Sequence, residues 1–240
     1  SLVGSEMCIR DRSVKGADLV DSKENKFQLR GISTHGINWD VGSPYVNKKA
    51  FKTLRDDWGV NAIRLAMYTE EYNGYCSGGS QAKLRKLVDK GVGYATDLGM
   101  YAIIDWHILS DGNPNKNKSQ AKKFFTTMAK KYKNNKNVIY EICNEPNGCS
   151  WKEIKSYATD IIKTIRKYDK KAVIIVGTPT WSQLGTDGTS NEVADSPIKG
   201  YKNIMYSLHF YASEWAHNEY LPAKVAYARK KKLPIIVSEF

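Results

Sequence analysis

The 240 residues carry 37 Lys and Arg against 25 Asp and Glu, a formal net charge of +12, and 41% of them are hydrophobic. That apolar share supports one sizeable core and barely two, and no run of about 18 apolar residues exists to cross a membrane. Positive charge invites a nucleic-acid partner, but Lys122-Lys123, Lys130-Lys131 and Lys230-Lys231-Lys232 are scattered and interleaved with apolar residues, so they read as solvated helix faces.

Residues 1–12, SLVGSEMCIRDR, do not continue the pattern that follows. They look like translated adapter sequence, lack the apolar core of a signal peptide, and are set aside as a tail before the folded unit, 13–240. Residues 14–19 and 26–31 flank the polar stretch Asp21-Ser22-Lys23-Glu24-Asn25, which predicts an N-terminal β-hairpin turning there. Short, almost continuously apolar runs then recur at 61–67, 100–107, 138–143, 172–177, 204–210 and 233–237, as strands buried on both faces should. Amphipathic stretches separate them. Ala121, Phe124, Phe125, Met128, Ala129 and Tyr132 share one helix face. Ser150 with Glu153 forms a capping box, and Gly59 and Gly99 sit where a glycine ends a helix. The four cysteines, Cys8, Cys76, Cys143 and Cys149, show no CxxC pair, which argues against a zinc site. Cys143 reads as a small core hydrophobe, with a Cys143–Cys149 bridge left open.

Strand and helix in alternation imply a parallel sheet with right-handed crossovers. An open doubly wound sheet would show a glycine-rich phosphate turn after its first strand, and Gly31-Ile32-Ser33-Thr34-His35-Gly36 is not one. Instead, polar residues close nearly every strand: His35, Arg64, His107, Asn144-Glu145, His209 and Glu239. A (β/α)8 TIM barrel gathers all of those ends on one face. Seven strands can be counted, so the barrel is expected to be truncated after the seventh, with a gap between the first and seventh strands.

Glu145 and Glu239 follow the fourth and seventh strands and can face each other across the barrel mouth. Hydrolysis of an acetal needs one carboxylic acid to protonate the leaving oxygen, and a second carboxylate to attack carbon or activate water.

Asn144-Glu145-Pro146, with Glu239 ending the seventh strand, looks like the retaining glycosidases with paired glutamates. Together with Leu29-Arg30-Gly31-Ile32-Ser33-Thr34-His35-Gly36 and Trp39, Asp105-Trp106-His107 and His209-Phe210-Tyr211, the chain resembles glycoside hydrolase family 5 (cellulase family A), in its bacterial endoglucanase branch. The resemblance implies a secreted, monomeric endo-β-1,4-glucanase acting on β-1,4-glucan, without cofactor, metal, nucleic acid or membrane partner. It implies that Glu145 is the acid/base and Glu239 the nucleophile. Arg64 would keep Glu239 ionised, Asn144 would bind the sugar 2-hydroxyl, His209 would hydrogen-bond Glu145, and His107 and Tyr211 would line the site. His35, Trp39, Tyr68 and Trp181 would contact sugar rings, with core packing the alternative for Tyr68. Cys143 stands where the family more usually has alanine, and the family's eighth-strand tryptophan has no counterpart. Rival readings are a mannanase, xyloglucanase or licheninase, a metal hydrolase built on His35, His107 and His209, and an inactive, carbohydrate-binding fragment.

Overall fold

The computed structural model describes residues 12–240, so the tail expected at 1–12 lies, Arg12 apart, outside the described residues, as does Cys8. The described chain begins with an antiparallel ribbon, β1 (Ser13–Lys15) and β2 (Asp18–Val20), joined by Gly16 and Ala17. Gly16 takes φ +61, the backbone that a two-residue hairpin turn demands and that a residue without Cβ adopts freely. The hairpin therefore turns earlier than the sequence suggests. Residues 21–25 do form a turn, but Asp21 closes it locally by accepting from the backbone N–H groups of Lys23 and Asn25. Beyond it lies only a single bridge between Val20 and Lys26.

Seven parallel strands follow: β3 (Gly31–Ser33), β4 (Ala62–Tyr68), β5 (Tyr101–His107), β6 (Val138–Glu141), β7 (Ile174–Val176), β8 (Ile204–His209) and β9 (Ile235–Glu239), hydrogen-bonded in that order. Among the described residues β3 and β9 pair on one side only, which is the open barrel that the strand count predicts. The main helices are α1 (Lys48–Trp58), α2 (Gln81–Asp97), α3 (Lys118–Tyr132) and α4 (Trp151–Arg166). Two single turns, α5 (Pro179–Ser182) and α6 (Glu192–Asp195), precede α7 (Trp215–Lys230).

Because side chains alternate along a strand, each strand builds two cores. One set (Ile63 and Leu65, Ile104 and Trp106, Tyr140 and Ile142) packs outward on the helices. Trp106 meets Phe124 and Phe125 of α3 at ring-centroid distances of 5.3 and 6.2 Å. Cys143 is fully buried in this layer, and the described cysteines are unbridged, so the Cys143–Cys149 bridge does not form. The other set (Ala62, Tyr101, Ile103, Ile139, Val173, Ile175 and Met205) fills the barrel interior. Leu19 joins it, with Val14, Phe27 and Leu29 packed alongside, so the N-terminal ribbon plugs the lower end of the barrel.

Helix ends match their sequence signals. Gly59 ends α1 at φ +69, and Ser150 and Glu153 make both bonds of the capping box on α4. Replacing Ser150→Ala should destabilise the protein by about 1 kcal/mol, and Phe124→Ala by about 3–5 kcal/mol. Urea midpoints compared at constant m-value will show whether the cap loss is the smaller of the two.

Candidate active site

One step along the strands from the apolar interior layer, at the same alternation, stand Arg64 of β4, Asp105 of β5, Glu141 of β6 and Ser207 of β8. All four are nearly or fully buried. Arg64 is the hub. Its Nε donates to Glu141 Oε2 (2.7 Å), Nη1 to Glu239 Oε2 (3.2 Å) and Nη2 to Asn144 Oδ1 (2.6 Å), while Asp105 Oδ2 lies 3.1 Å from Nη2.

Three carboxylates around one guanidinium do not ionise alike. Burial opposes the charge on Glu141 and Glu239 alike. For Glu141 the Arg64 charge and the hydrogen bonds from Arg64 and Ser238 outweigh it, and the group is held below the usual glutamate range. Glu239 is lowered as well, by Arg64, by the Tyr211 hydroxyl that donates to its Oε1, and by the His209 and His107 imidazoles. For Asp105, fully buried and carrying an unpartnered Oδ1, burial wins over Arg64 and His107 and its carboxyl is raised. The same carboxylates outweigh the effect of burial on Arg64 and push it above its ordinary value.

Glu145 is 7% exposed and lies four residues past the end of β6. Its Oε1 meets His209 Nδ1 at 2.8 Å. Gly177, just after β7, lets the next strand pass close by: a Cβ there would stand 2.2 Å from the Cys143 carbonyl oxygen and 2.7 Å from Pro146 Cδ. Glu145, His209 and Glu239 each bring one donor atom within 4.8 Å of the others. A cation there would have to displace the Glu145–His209 hydrogen bond and tolerate the Arg64 charge on Glu239. His107 is turned away from that trio, with Nδ1 on Asp105 Oδ2 (2.6 Å) and Nε2 on Asn144 Nδ2 (3.1 Å). His35 is exposed on the rim, and its Nδ1 accepts from Gly36 N. The three histidines therefore do not converge as a metal hydrolase would require.

The rim aromatics form a wall. Tyr68 packs against His107 and Trp39 at ring-centroid distances of 3.9 and 4.5 Å, and its hydroxyl is pushed up to about 12 by burial and the nearby Glu239. Trp39 in turn meets His35 edge-on at 5.6 Å. Trp181 stands apart, 44% exposed, on a turn in which Thr180, Trp181 and Ser182 all take positive φ of 51–62°. Each such residue costs about 1–2 kcal/mol. The turn is held by Trp181 N donating to Pro146 O and by Ser182 Oγ donating to Asn144 O.

The structure thus brings Arg64, Asn144, Glu145, His107, His209, Tyr211 and Glu239 into one network, with Tyr68 and Trp39 beside it, and leaves His35 and Trp181 on the rim. Sequence reasoning passed over Glu141, Ser207 and Ser238 and took Asp105 only as part of a motif. The signal for Glu141 was a charged side chain inside an otherwise apolar run.

Two glutamates thus approach each other at the carboxyl ends of the strands of an open parallel barrel, the face on which enzymes of this fold build their sites. Residues 20–240 match the model of the cellulase family, glycosyl hydrolase family 5, and the chain belongs to that family. It is 47% identical over 231 residues to endoglucanase A of Butyrivibrio fibrisolvens, covering 95% of this chain and 51% of that protein. It is 50% identical to an endoglucanase of Clostridium saccharobutylicum, covering 95% of this chain and 48% of that one. The chain spans about half the length of the curated relatives it matches. Among solved structures, the catalytic domain of Thermobifida fusca endoglucanase Cel5A superposes with a TM-score of 0.85 at 40% identity, covering 96% of this chain and 73% of that one. A variant of that domain, solved in complex with cellotetraose, gives 0.84 at 39% identity, covering 95% and 72%.

Arg64→Gln should destabilise the fold by about 3–5 kcal/mol at neutral pH, because buried carboxylates lose their counter-charge. Glu141 and Glu239 are lowered in the fold, so the stability they contribute is present above the usual glutamate range and lost as pH falls through their lowered values. The gap between wild type and variant should therefore narrow on acidification, as denaturation midpoints taken from pH 7 down to 4 will show.

Proposed function

We propose that the chain carries the catalytic apparatus of a secreted, retaining endo-β-1,4-glucanase, with Glu145 as general acid/base and Glu239 as nucleophile. The observation that carries this reading is the approach of the two glutamates, whose donor atoms lie within 4.8 Å. Retaining glycosidases hold their carboxyl groups about 5–5.5 Å apart, whereas inverting ones leave about 6.5–9.5 Å for a water. The two environments also differ as the two roles require. Glu239 is held ionised by Arg64 and Tyr211 and can attack the anomeric carbon. Glu145 is bonded through Oε1 to His209, a partner that can give or take a proton.

In the first step Glu145 protonates the departing glycosidic oxygen while a Glu239 oxygen bonds to the anomeric carbon. In the second, Glu145, now ionised, takes a proton from water, and the hydroxide so formed displaces Glu239 with a second inversion. Asn144 would receive the sugar 2-hydroxyl. Its amide protons already face His107 Nε2 and the Ile108 carbonyl, so substrate entry asks it to exchange one partner. Trp39 and Trp181 would serve as sugar platforms, with His35 at the edge of the same wall. Tyr68, packed on both Trp39 and His107, extends that wall from behind.

β-1,4-Glucan as substrate is the reading supported by the family and by relatives named as endoglucanases. A polymer that cannot enter a cell places the enzyme outside it. A monomer suffices, since every group named comes from one chain, and no described helix is long and apolar enough to cross a membrane.

NMR of the first-formed product from a cello-oligosaccharide should show the β-anomer, and the α-anomer appearing first would rule out retention. Glu145→Ala should still cleave a dinitrophenyl cellobioside to the glycosyl-enzyme, and azide should restore turnover to give the β-glycosyl azide. Glu239→Ala should form no covalent intermediate, and azide should give the α-azide. Rescue of both variants to the same anomer would overturn the assignment of roles.

A further inference from the structure

His209 has a second partner that the reaction above does not use. Its Nδ1 faces Glu145, and its Nε2 lies 2.8 Å from the hydroxyl of Ser238. That hydroxyl lies 2.7 Å from Glu141 Oε1, and Glu141 Oε2 accepts from Arg64. An unbroken chain of hydrogen bonds thus runs from Glu145 through His209, Ser238, Glu141 and Arg64 to Glu239.

The direction of these bonds follows from counting protons. Ser238 has one to give, and an ionised carboxylate can only accept. Glu141 is fully buried against Arg64 and ionised, so the Ser238 proton must point at Glu141, because two oxygen lone pairs cannot face each other at 2.7 Å. Ser207 cannot relieve this. It donates to the same Glu141 oxygen at 3.1 Å and lies 3.3 Å from Ser238. Ser238 therefore presents only lone pairs to His209, and Nε2 must carry a proton.

We propose that Ser238 is a positioning residue that fixes a proton on Nε2 of His209, so that the one proton free to move is that between His209 Nδ1 and Glu145. Its meaning for catalysis rests on the reading of Glu145 as acid/base; the proton placement does not. With Nε2–H fixed, loss of the shared proton would leave a bare Nδ1 facing the Glu145 carboxylate. The ring cannot escape by moving its remaining proton to Nδ1, because a bare Nε2 would then face the Ser238 lone pairs. Ser238 thereby resists loss of the proton from the acid/base pair. The other charged or titratable groups about His209 are Glu239 with its partners Arg64 and Tyr211, His107 beyond Glu239, and Glu141 behind Ser238.

The backbone supplies an independent reason to see Ser238 as placed. Leu208 pairs with Val237 but His209 pairs with Glu239, so β9 carries a bulge in which Ser238 is the extra residue. Strict alternation would send Ser238 and Glu239 to opposite faces. The bulge turns both toward the site, as bulges beside active sites do.

The chain has four histidines, so long-range ¹H–¹⁵N correlation on histidine-labelled protein can resolve them, with His209→Gln giving the assignment. In the wild type Nε2 should remain protonated from mildly acidic to mildly alkaline pH. In Ser238→Ala the neutral ring should shift to the Nδ1–H tautomer, and the shared proton should be lost about one pH unit lower, the shift that one hydrogen bond of ordinary strength implies. Ser238→Thr, which keeps the hydroxyl, should restore the wild-type pattern, which a merely structural role for Ser238 would not require. A bare Nε2 in the wild type at neutral pH, or a Ser238→Ala spectrum with unchanged tautomer and midpoint, would overturn the proposal. Failure of azide rescue in Glu145→Ala alongside a protonated Nε2 would remove the acid/base role of Glu145 and leave the proton placement standing; rescue alongside a bare Nε2 would do the reverse.

Discussion

The buried guanidinium of Arg64 is the interaction on which the rest of the site depends. It is 2% exposed and reaches five acceptors drawn from four different strands and the segment after β6. Removing a carboxylate from water costs several kcal/mol even after relaxation, and three of them surround this one cation. The excess is relieved unevenly. Glu141 takes the shortest ion pair and two serine hydroxyls, Asp105 is pushed toward its neutral form, and Glu239, whose side chain is 27% exposed, keeps contact with the cleft. The carboxylate left both ionised and accessible is the one that the proposed chemistry needs.

A charged layer of this kind requires a dry layer beneath it. Strand register provides one, because Ala62, Ile103 and Ile139 stand two residues before Arg64, Asp105 and Glu141 and share their face. The N-terminal ribbon closes the lower end with Leu19 and its neighbours. The dry layer below lowers the polarity around the Arg64 cluster and so strengthens each of its hydrogen bonds.

The strands and main helices were legible because they depend on local pattern: apolar runs of strand length, the α3 face, the Ser150–Glu153 box, and Gly59 and Gly99. The hairpin turn at Gly16-Ala17 is hidden in the pattern, because residues 21–25 hold the stronger turn chemistry while Gly16-Ala17 offers only a single glycine. The strand-end residues of the site were legible for the same reason as the barrel, since both follow from polar residues closing apolar runs. Glu141 was not, because it lies inside its run and its meaning comes from Arg64, far away in sequence. Ser238 was hidden differently. Only the register of β9 against β8 reveals the bulge that aims it, and register between strands is a property of the pair.

The strained turn at Thr180, Trp181 and Ser182 completes the same logic. Three successive left-handed residues without a glycine persist only where surrounding bonds over-determine them. Here the bonds come from the Asn144-Glu145-Pro146 segment, whose Asn144 and Pro146 carbonyls accept from Ser182 and Trp181. The backbone that carries Glu145 therefore also fixes the height of the exposed Trp181 ring. A displacement of one moves the other, so the distance between the proposed sugar platform and the proposed proton donor is set by covalent geometry and two hydrogen bonds.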